Sequence, residues 1–156
     1  MNPPDRDIAL RTDAPSPTRA LSLDMAIAVQ TALPVLISAA SDRAMPLAIA
    51  IAASAGANRP DDVLVVESAT ARMQISSLLE AGAAGRGHRV VLLRNIEAFD
   101  HAQQSAVVEL LEHARRPGTA PFRVIATTSV ALFDRVADGS FESKLFYKLN
   151  AIHLKP

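Results

Sequence analysis

The chain has 156 residues, of which 49% are hydrophobic, and its 16 lysines and arginines balance 16 aspartates and glutamates. This length and apolar content suit one domain with a substantial core, and a net charge of zero argues against a nucleic-acid-binding protein. The sequence has no cysteine, which excludes disulfides, thiolate metal sites and cysteine nucleophiles and suits a cytoplasmic protein. Aromatic residues make up only 4%, too few for a stacking platform for single-stranded nucleic acid.

Two segments bear on targeting and membranes. The longest apolar stretch, residues 44–57, contains Pro46 and Ser54 and is shorter than the roughly 18–20 residues of a membrane span. The N-terminal residues are rich in proline and charge and lack the apolar segment of a signal peptide. We therefore expect a disordered tail over residues 1–20, a folded core over residues 21–156 and no membrane partner.

Beyond the tail, strand-like and helical patterns alternate along the chain. Five short apolar runs are predicted strands: residues 34–38, 63–67, 90–93, 122–127 and 151–154. The run at residues 63–67 is continuous, which is typical of a strand covered on both faces. Helices are predicted between these runs, over residues 22–32, 46–55, 69–84, 100–116, 129–136 and 140–149.

Capping residues and helix breakers set the predicted helix ends. Ser22 or Asp24 caps the first helix, and residues 39–44 form a loop before Pro46, because a first-turn proline loses no helical hydrogen bond. Asp100 and Gln103 form a capping box. The glycines Gly82, Gly85 and Gly87 end the third helix, Gly139 ends the fifth, and Ser129 and Ser140 cap the last two helices.

This alternation predicts an α/β fold in which a five-stranded parallel sheet lies between two helical layers. Ligands of such sheets bind at the carboxyl ends of the strands. The residues to inspect are therefore 39–45, Arg94 with Asn95, and Thr128 with Ser129.

The loop after the first strand reads AASDRAMP over residues 39–46. A phosphate-binding loop needs glycines for close backbone approach and a lysine for the terminal phosphates. Neither residue type is present, and Asp42 stands where phosphate would lie. Arg43 at a helix N-terminus would still attract an anion, but we expect an ordinary turn.

The other chemistry-bearing residues give no enzyme signature. An acidic pair after the third strand would hold Mg²⁺, but this place carries Arg94 and Asn95. Glu97 and Asp100 are explained by capping of the next helix. The four histidines are widely separated, so we predict surface or loop positions for them and no metal site, and no serine-nucleophile motif occurs.

Residues 124–150 (VIATTSVALFDRVADGSFESKLFYKLN) closely resemble the sensor-one strand and following helices of the AAA+ domain of sigma-54-dependent transcriptional activators. Residues 34–38 match the strand before that family's phosphate loop, residues 91–96 match its second nucleotide motif, and residues 103–112 (QQSAVVELLE) resemble the helix after it. The resemblance covers residues 21–154. It implies a three-layer αβα core like that of AAA+ and P-loop NTPases.

The resemblance also implies that the family's catalytic positions are substituted. The phosphate-loop lysine falls on Met45, the Asp and Glu of the second motif on Arg94 and Asn95, the sensor asparagine on Ser129, and two arginines that reach a neighbour's nucleotide on Glu142 and Lys148. The full set of degenerate positions is Ala39, Asp42, Arg43, Ala44, Met45, Arg94, Asn95, Ser129, Glu142 and Lys148. Residues 70–87 leave no room for the loop that engages the sigma factor, and we expect a core without the helical lid or a DNA-binding unit.

Three functions follow from this pattern. The first is a non-catalytic pseudo-ATPase without cofactor that regulates transcription by binding a protein, which is an intact AAA+ activator, another partner or a second copy of the chain. The alternative is residual ATP binding through backbone amides and Arg43 or Arg94, without efficient hydrolysis. The third is a structural remnant without a role of its own. Residues 47–55 and 141–146 are the candidate self-association surfaces, unless both simply cover the sheet.

Overall fold

The computed structural model describes residues 17–81, 88–119 and 121–156. Its strands are β1 (Val35–Ser38), β2 (Val63–Val66), β3 (Val90–Leu93), β4 (Arg123–Thr128) and β5 (Ile152–Leu154). Its helices are α1 (Pro17–Gln30), α2 (Ser41–Ser54), α3 (Ala71–Ala81), α4 (His101–Ala114), α5 (Leu132–Ala137) and α6 (Ser143–Leu149), with short 3₁₀ turns at Pro60–Asp62 and Ile96–Ala98. The predicted tail up to residue 16 and the breaks at Gly82, Gly85 and Gly87 lie outside the described residues.

The five strands form one sheet in the order β2-β3-β4-β1-β5, and every pairing is parallel. The chain moves from β1 to the far edge at β2 and then returns through β3 and β4 to β5. Because parallel crossovers are right-handed, this reversal of direction places α2 on the opposite face from α3, α4 and α6. The predicted five-stranded parallel sheet between two helical layers is confirmed.

Alternate residues of the strands supply the two halves of the core. On one face Leu36, Val91 and Val124 pack with α3, α4 and α6, and on the other Ile37 and Ile125 pack with α1 and α2. α2 contributes Ala44, Ala48, Ile51 and Ala52 to the second half. Residues 141–146 were predicted either to form a self-association surface or to cover the sheet. Phe141 and Phe146 are only 3% and 8% exposed, so these two side chains cover the sheet.

Two helices begin earlier than predicted. α1 starts at Pro17, within the predicted tail, because proline's fixed φ suits a first helical turn. α2 starts at Ser41 with Pro46 inside it, so the predicted loop over residues 39–44 is wrong beyond Ala40. Helical geometry from Ser41 buries Ala44 against the sheet, and this burial offsets the hydrogen bond that Pro46 cannot make.

The remaining differences concern caps and one strand. Ala131 and Glu142, not Ser129 and Ser140, are the N-caps of α5 and α6, because Ser129 bonds to Glu97 and Ser140 to Asp138. β2 is an edge strand with Val65 40% exposed, so the prediction that both its faces are covered is wrong.

Two predicted helix ends are confirmed by their geometry. The Asp100–Gln103 capping box closes reciprocally, with backbone-to-side-chain distances of 2.8 and 2.9 Å. Gly139 follows α5 with φ +81°, a conformation that favours glycine. In the part of the chain that the structure describes, no helix combines the length and apolar character needed to cross a membrane.

Candidate functional site at the carboxyl end of the sheet

The connections that follow the neighbouring strands β1 and β4 leave in opposite directions along the sheet. The connection from β1 runs to one edge of the sheet, and the connection from β4 passes over β1 to β5 at the other edge. Connections that diverge from neighbouring strands open a crevice at the strands' carboxyl ends. The candidate site therefore lies around Ser38, Leu93 and Thr128, beside the strand ends that the sequence singled out for inspection.

The chain turns from β1 into α2 within two residues. Ala39 N–H donates to the Thr128 carbonyl (2.9 Å), which ties the turn to β4, and Ala44 N–H donates to the Ala40 carbonyl (2.9 Å). Residues 41–45 are therefore helical. Asp42 and Arg43 are exposed, Ala44 is fully buried and Met45 packs against the core.

Arg94 bridges the elements on either side of it. Its Nη1 lies 2.9 Å from Oε1 of Glu67, the residue after β2, and its Nη2 lies 3.5 Å from Oγ of Ser41 at the start of α2. The backbone N–H of Arg94 donates to the Val66 carbonyl (2.9 Å). The guanidinium thus stands between the carboxyl end of β2 and the first turn of α2.

Asn95 directs the chain away from the sheet. Its backbone is left-handed, with φ 52° and ψ 57°, a conformation that asparagine adopts more readily than most residues. Its N–H donates to Oγ1 of Thr127 (3.1 Å) on β4. The side chain of Asn95 is exposed, and an amide there is neither a base nor a strong cation ligand.

Ser129 is held by Glu97. Oε1 of Glu97 accepts hydrogen bonds from the N–H (3.1 Å) and the Oγ (2.7 Å) of Ser129. The prediction that Glu97 caps the following helix is therefore wrong, because the carboxylate bonds to Ser129, the first residue after β4. Its other oxygen, Oε2, is buried without a hydrogen-bond partner.

The last two predicted positions make their contacts on α4. Oε1 of Glu142 accepts from Ser105 Oγ (2.9 Å), and Glu142 N–H donates to Oε1 of Gln104 (2.8 Å). Nζ of Lys148 lies 3.6 Å from Oε1 of Glu112. The structure therefore gathers the positions from Ala39 to Ser129 at the strand ends and gives Glu142 and Lys148 partners on a helix.

A neighbouring cleft of about 590 Å³ opens at the ends of β1, β4 and β5. It holds a contact that the sequence did not predict, between Ser38 Oγ and His153 Nε2 at 2.6 Å. Burial, with a further contribution from the charge of Lys155, lowers the pKa of His153 below its ordinary value. The prediction of a surface or loop position is wrong for His153, which lies half-buried in β5. Its burial depends on the pairing of β5 with β1, which no local pattern in the sequence signals.

The side chains at these strand ends offer little to a metal. Glu67 is ion-paired with Arg94, and Glu97 is hydrogen-bonded to Ser129. Among the described residues, no group of three or more histidines, aspartates or glutamates is arranged to hold a metal ion.

The family model of the sigma-54 interaction domain matches residues 25–155. The chain belongs to the sigma-54 interaction domain family. No curated protein matches the chain.

Solved structures match the fold of this family member. NtrX from Brucella abortus in complex with ATP superimposes with a TM-score of 0.66 at 19% identity over 91% of this chain and 37% of that chain. The P-loop NTPase domain of the sigma-54 transport activator from E. coli gives 0.62 at 18% identity, over 87% of this chain and 99% of that one. RuvB, the Holliday junction branch migration motor of Thermotoga maritima, gives 0.61 at 17% identity over 90% and 44%. The chain thus has the AAA+ and P-loop NTPase fold, and it spans 37% of the NtrX chain.

Proposed function

We propose that this chain is a non-catalytic AAA+-like module that acts in transcription regulation by binding another protein, without nucleotide chemistry. The observation that carries the proposal is the position of Arg94, whose guanidinium pairs with Glu67 and reaches Ser41. A magnesium ion at this strand end needs carboxylates. The guanidinium instead brings a positive charge, which repels the cation.

The turn after β1 supports the same conclusion. Phosphate-binding loops use glycine so that several backbone N–H groups converge on the phosphate oxygens. Here α2 begins at Ser41, so the N–H of Ala44 is already hydrogen-bonded within the helix and does not converge on a ligand. Met45, at the position that the resemblance gives to the lysine, packs on the core and carries no charge.

The partner in this proposal is a protein, either an intact AAA+ activator or a second copy of the chain. The fold that the chain shares with activator domains supports an activator as partner. Glu142 and Lys148, at the positions of two arginines that reach a neighbour's nucleotide, are bonded to α4 instead. A subunit of this kind would occupy a place in an assembly without completing its neighbour's site.

A thermal denaturation series with ATP, ADP and GTP, with and without Mg²⁺, tests the proposal. A ligand that binds only the folded state raises its apparent stability, so the expected result is no shift with any nucleotide. A second arm mixes the chain with an intact sigma-54 activator domain and measures ATP turnover. Turnover should fall as the chain is added, and turnover unchanged at excess chain would contradict the proposed activator partner.

One observation favours residual nucleotide binding as a second candidate. Arg94 lies within reach of Ser41 in the first turn of α2, and both a guanidinium and a helix N-terminus attract anions. Binding of this kind would not need Mg²⁺, because no carboxylate would coordinate it. A thermal shift with ATP that persists in a chelating buffer would therefore support this candidate over the first.

A further inference from the structure

A groove runs between α4 and α6 at the amino-terminal end of the sheet, opposite the site described above. We call it the α4–α6 groove. It has a volume of about 810 Å³, within the range of binding cavities in proteins. Its apolar surface comes from residues that precede the strands and from the two helices, chiefly Leu33, Phe122, Leu111 and Tyr147.

The apolar surface of the groove is open to solvent. Leu33 is 49% exposed and Tyr147 is 69% exposed, although both are large hydrophobic side chains. Tyr147 is braced by an edge-to-face contact with Phe146, with ring centroids 5.5 Å apart. Exposed apolar side chains that meet in a groove mark binding surfaces more often than scattered ones do.

The rim of the groove carries positive charge. Arg115, Lys144 and Lys148 line it, and among the described lining residues none is acidic. Glu112, outside the lining, holds both ammonium groups, with its Oε1 2.9 Å from Lys144 Nζ and 3.6 Å from Lys148 Nζ. One carboxylate therefore positions two cations, and Arg115 has no ion pair in the described part of the chain.

A further cation lies at the same end of the sheet, on the face opposite the groove. Arg123 is 4% exposed, and its Nη2 donates to the carbonyl of Leu33 (3.4 Å). None of the ion pairs within residues 17–81, 88–119 and 121–156 includes it. A buried charge without a counter-ion is unfavourable, so this end of the sheet favours a negatively charged neighbour. Since the whole chain has a net charge of zero, this concentration of cations is a local feature.

From this combination of exposed apolar side chains and cations we infer that the α4–α6 groove binds a short acidic segment of a partner protein. Apolar side chains of the segment would contact Leu33 and Tyr147. Its carboxylates would pair with Arg115, Lys144 and Lys148. The aliphatic part of the lining, Leu33 and Leu111, favours a peptide over a nucleic acid, because it packs against apolar side chains and offers bases no ring to stack on. The inference rests on the proposed interaction role and names the chemistry of the partner.

The test is selection of a phage-displayed library of random dodecapeptides on the full chain. The wild-type chain is compared with a triple variant, Arg115→Gln, Lys144→Gln and Tyr147→Ser, which changes only exposed side chains. The matched control is Arg72→Gln, Arg135→Gln and Met73→Ser, which changes two exposed cations and one exposed apolar residue that do not line the groove. Thermal denaturation first establishes that both variants fold.

The expected result is enrichment of peptides in which Asp or Glu alternates with Leu, Phe or Trp. Their affinity, measured by fluorescence anisotropy, should fall at least about tenfold in the triple variant and stay unchanged in the control. It should also weaken as NaCl rises to roughly 0.5 M, because exposed charge pairs are screened.

Three outcomes would overturn the inference. The first is a selection that enriches no peptide or only peptides without acidic residues, or enriched peptides that bind the triple variant as tightly as the wild type. The second is polyglutamate binding as tightly as the enriched peptides, which would make the surface purely electrostatic. The third is a concentration-dependent dimer in sedimentation that the triple variant abolishes, because the occupant would then be a second copy. Failure of the proposed function would be seen differently, because the chain would then bind nucleotide while peptides still bound the groove.

Discussion

Glu67 and Arg94 are the first residues after two neighbouring parallel strands, and their side chains form an ion pair with Oε1 and Nη1 2.9 Å apart. The register of β2 and β3, in which Val66 is opposite Leu93, brings them side by side. The carboxylate that lies nearest to this strand end is thus neutralised by the arginine. Paired in this way, Glu67 offers no free carboxylate to a cation.

If these substitutions abolish nucleotide binding, reversing them should restore it. We expect a variant with Ala39→Gly, Asp42→Gly, Ala44→Gly, Met45→Lys and Arg94→Asp to bind ATP in the presence of Mg²⁺. The glycines release the first turn of α2 to form a loop, the lysine reaches the phosphates and the aspartate accepts the metal. Calorimetric titration measures this binding.

The control for the reversion is Met45→Lys alone, which adds the charge without the loop and should not bind. The Arg94–Glu67 pair is partly exposed, so its loss costs about 0–1 kcal/mol and does not by itself prevent folding. A reversion variant that folds but does not bind ATP would show that residues other than these five prevent nucleotide binding.

The capping box at the start of α4 makes a measurable contribution to stability. Asp100 accepts from Gln103 N–H at 2.8 Å, and loss of such a cap costs about 1 kcal/mol. Asp100→Ala should therefore lower the free energy of unfolding by about that amount in urea denaturation. Glu109→Ala, on the exposed side of the same helix, should change it by less than about 0.5 kcal/mol. Equal effects of the two substitutions would contradict the assignment of the cap.

Gln104 connects α4 to the residues just before it and to the segment between α5 and α6. It is 1% exposed, its Nε2 donates to the carbonyls of Phe99 (2.8 Å) and Ser140 (3.0 Å), and its Oε1 accepts from Glu142 N–H (2.8 Å). Gln104→Leu leaves these backbone groups unpaired, so we expect a loss of roughly 2 kcal/mol or more. Gln30→Leu at the exposed end of α1 is the control. A loss no greater than that of the control in urea denaturation would show that the three bonds contribute little.

His153 should make stability fall on mild acidification. Its pKa in the folded chain is lowered by burial and by Lys155, so the unfolded state binds the proton more readily. The stabilisation is complete above the ordinary histidine pKa and is lost as pH falls through that value toward the lowered one. Urea denaturation at about pH 7.5 and about pH 5 should show a larger loss for the wild type than for His153→Gln. The same loss in both proteins would contradict this role.

Most of the fold was predictable because each buried strand corresponds to a short apolar run in the sequence. All five strands lie where the runs predicted, within a residue or two at their ends. The exposure of β2 was not predictable, because a continuous apolar run such as VLVV is the same in a central and an edge strand. The start of α2 was predicted too late because proline is typical of a first helical turn, and Pro46 was placed there. The helix begins at Ser41 instead, and this start buries Ala44 against the sheet.

The site was predictable in its place and only partly in its contacts. Parallel topology directed attention to Arg94, Asn95 and Ser129, and all three lie at the strand ends. The partners Glu67 and Glu97 depend on the register between strands and on the path of a 3₁₀ turn, which local patterns do not encode. The neighbours of His153 depend in the same way on the pairing of β1 with β5.

The most direct test of the central claim is isothermal titration calorimetry of the wild-type chain with ATP, in Mg²⁺ and again in a chelating buffer. An intact sigma-54 activator domain, titrated under the same conditions, serves as the positive control. With the Arg94 guanidinium at the strand end and α2 helical from Ser41, we predict no saturable heat for the wild type under either condition. A one-to-one isotherm with a micromolar dissociation constant in Mg²⁺ would contradict the account, because these strand ends would then hold both phosphate and metal.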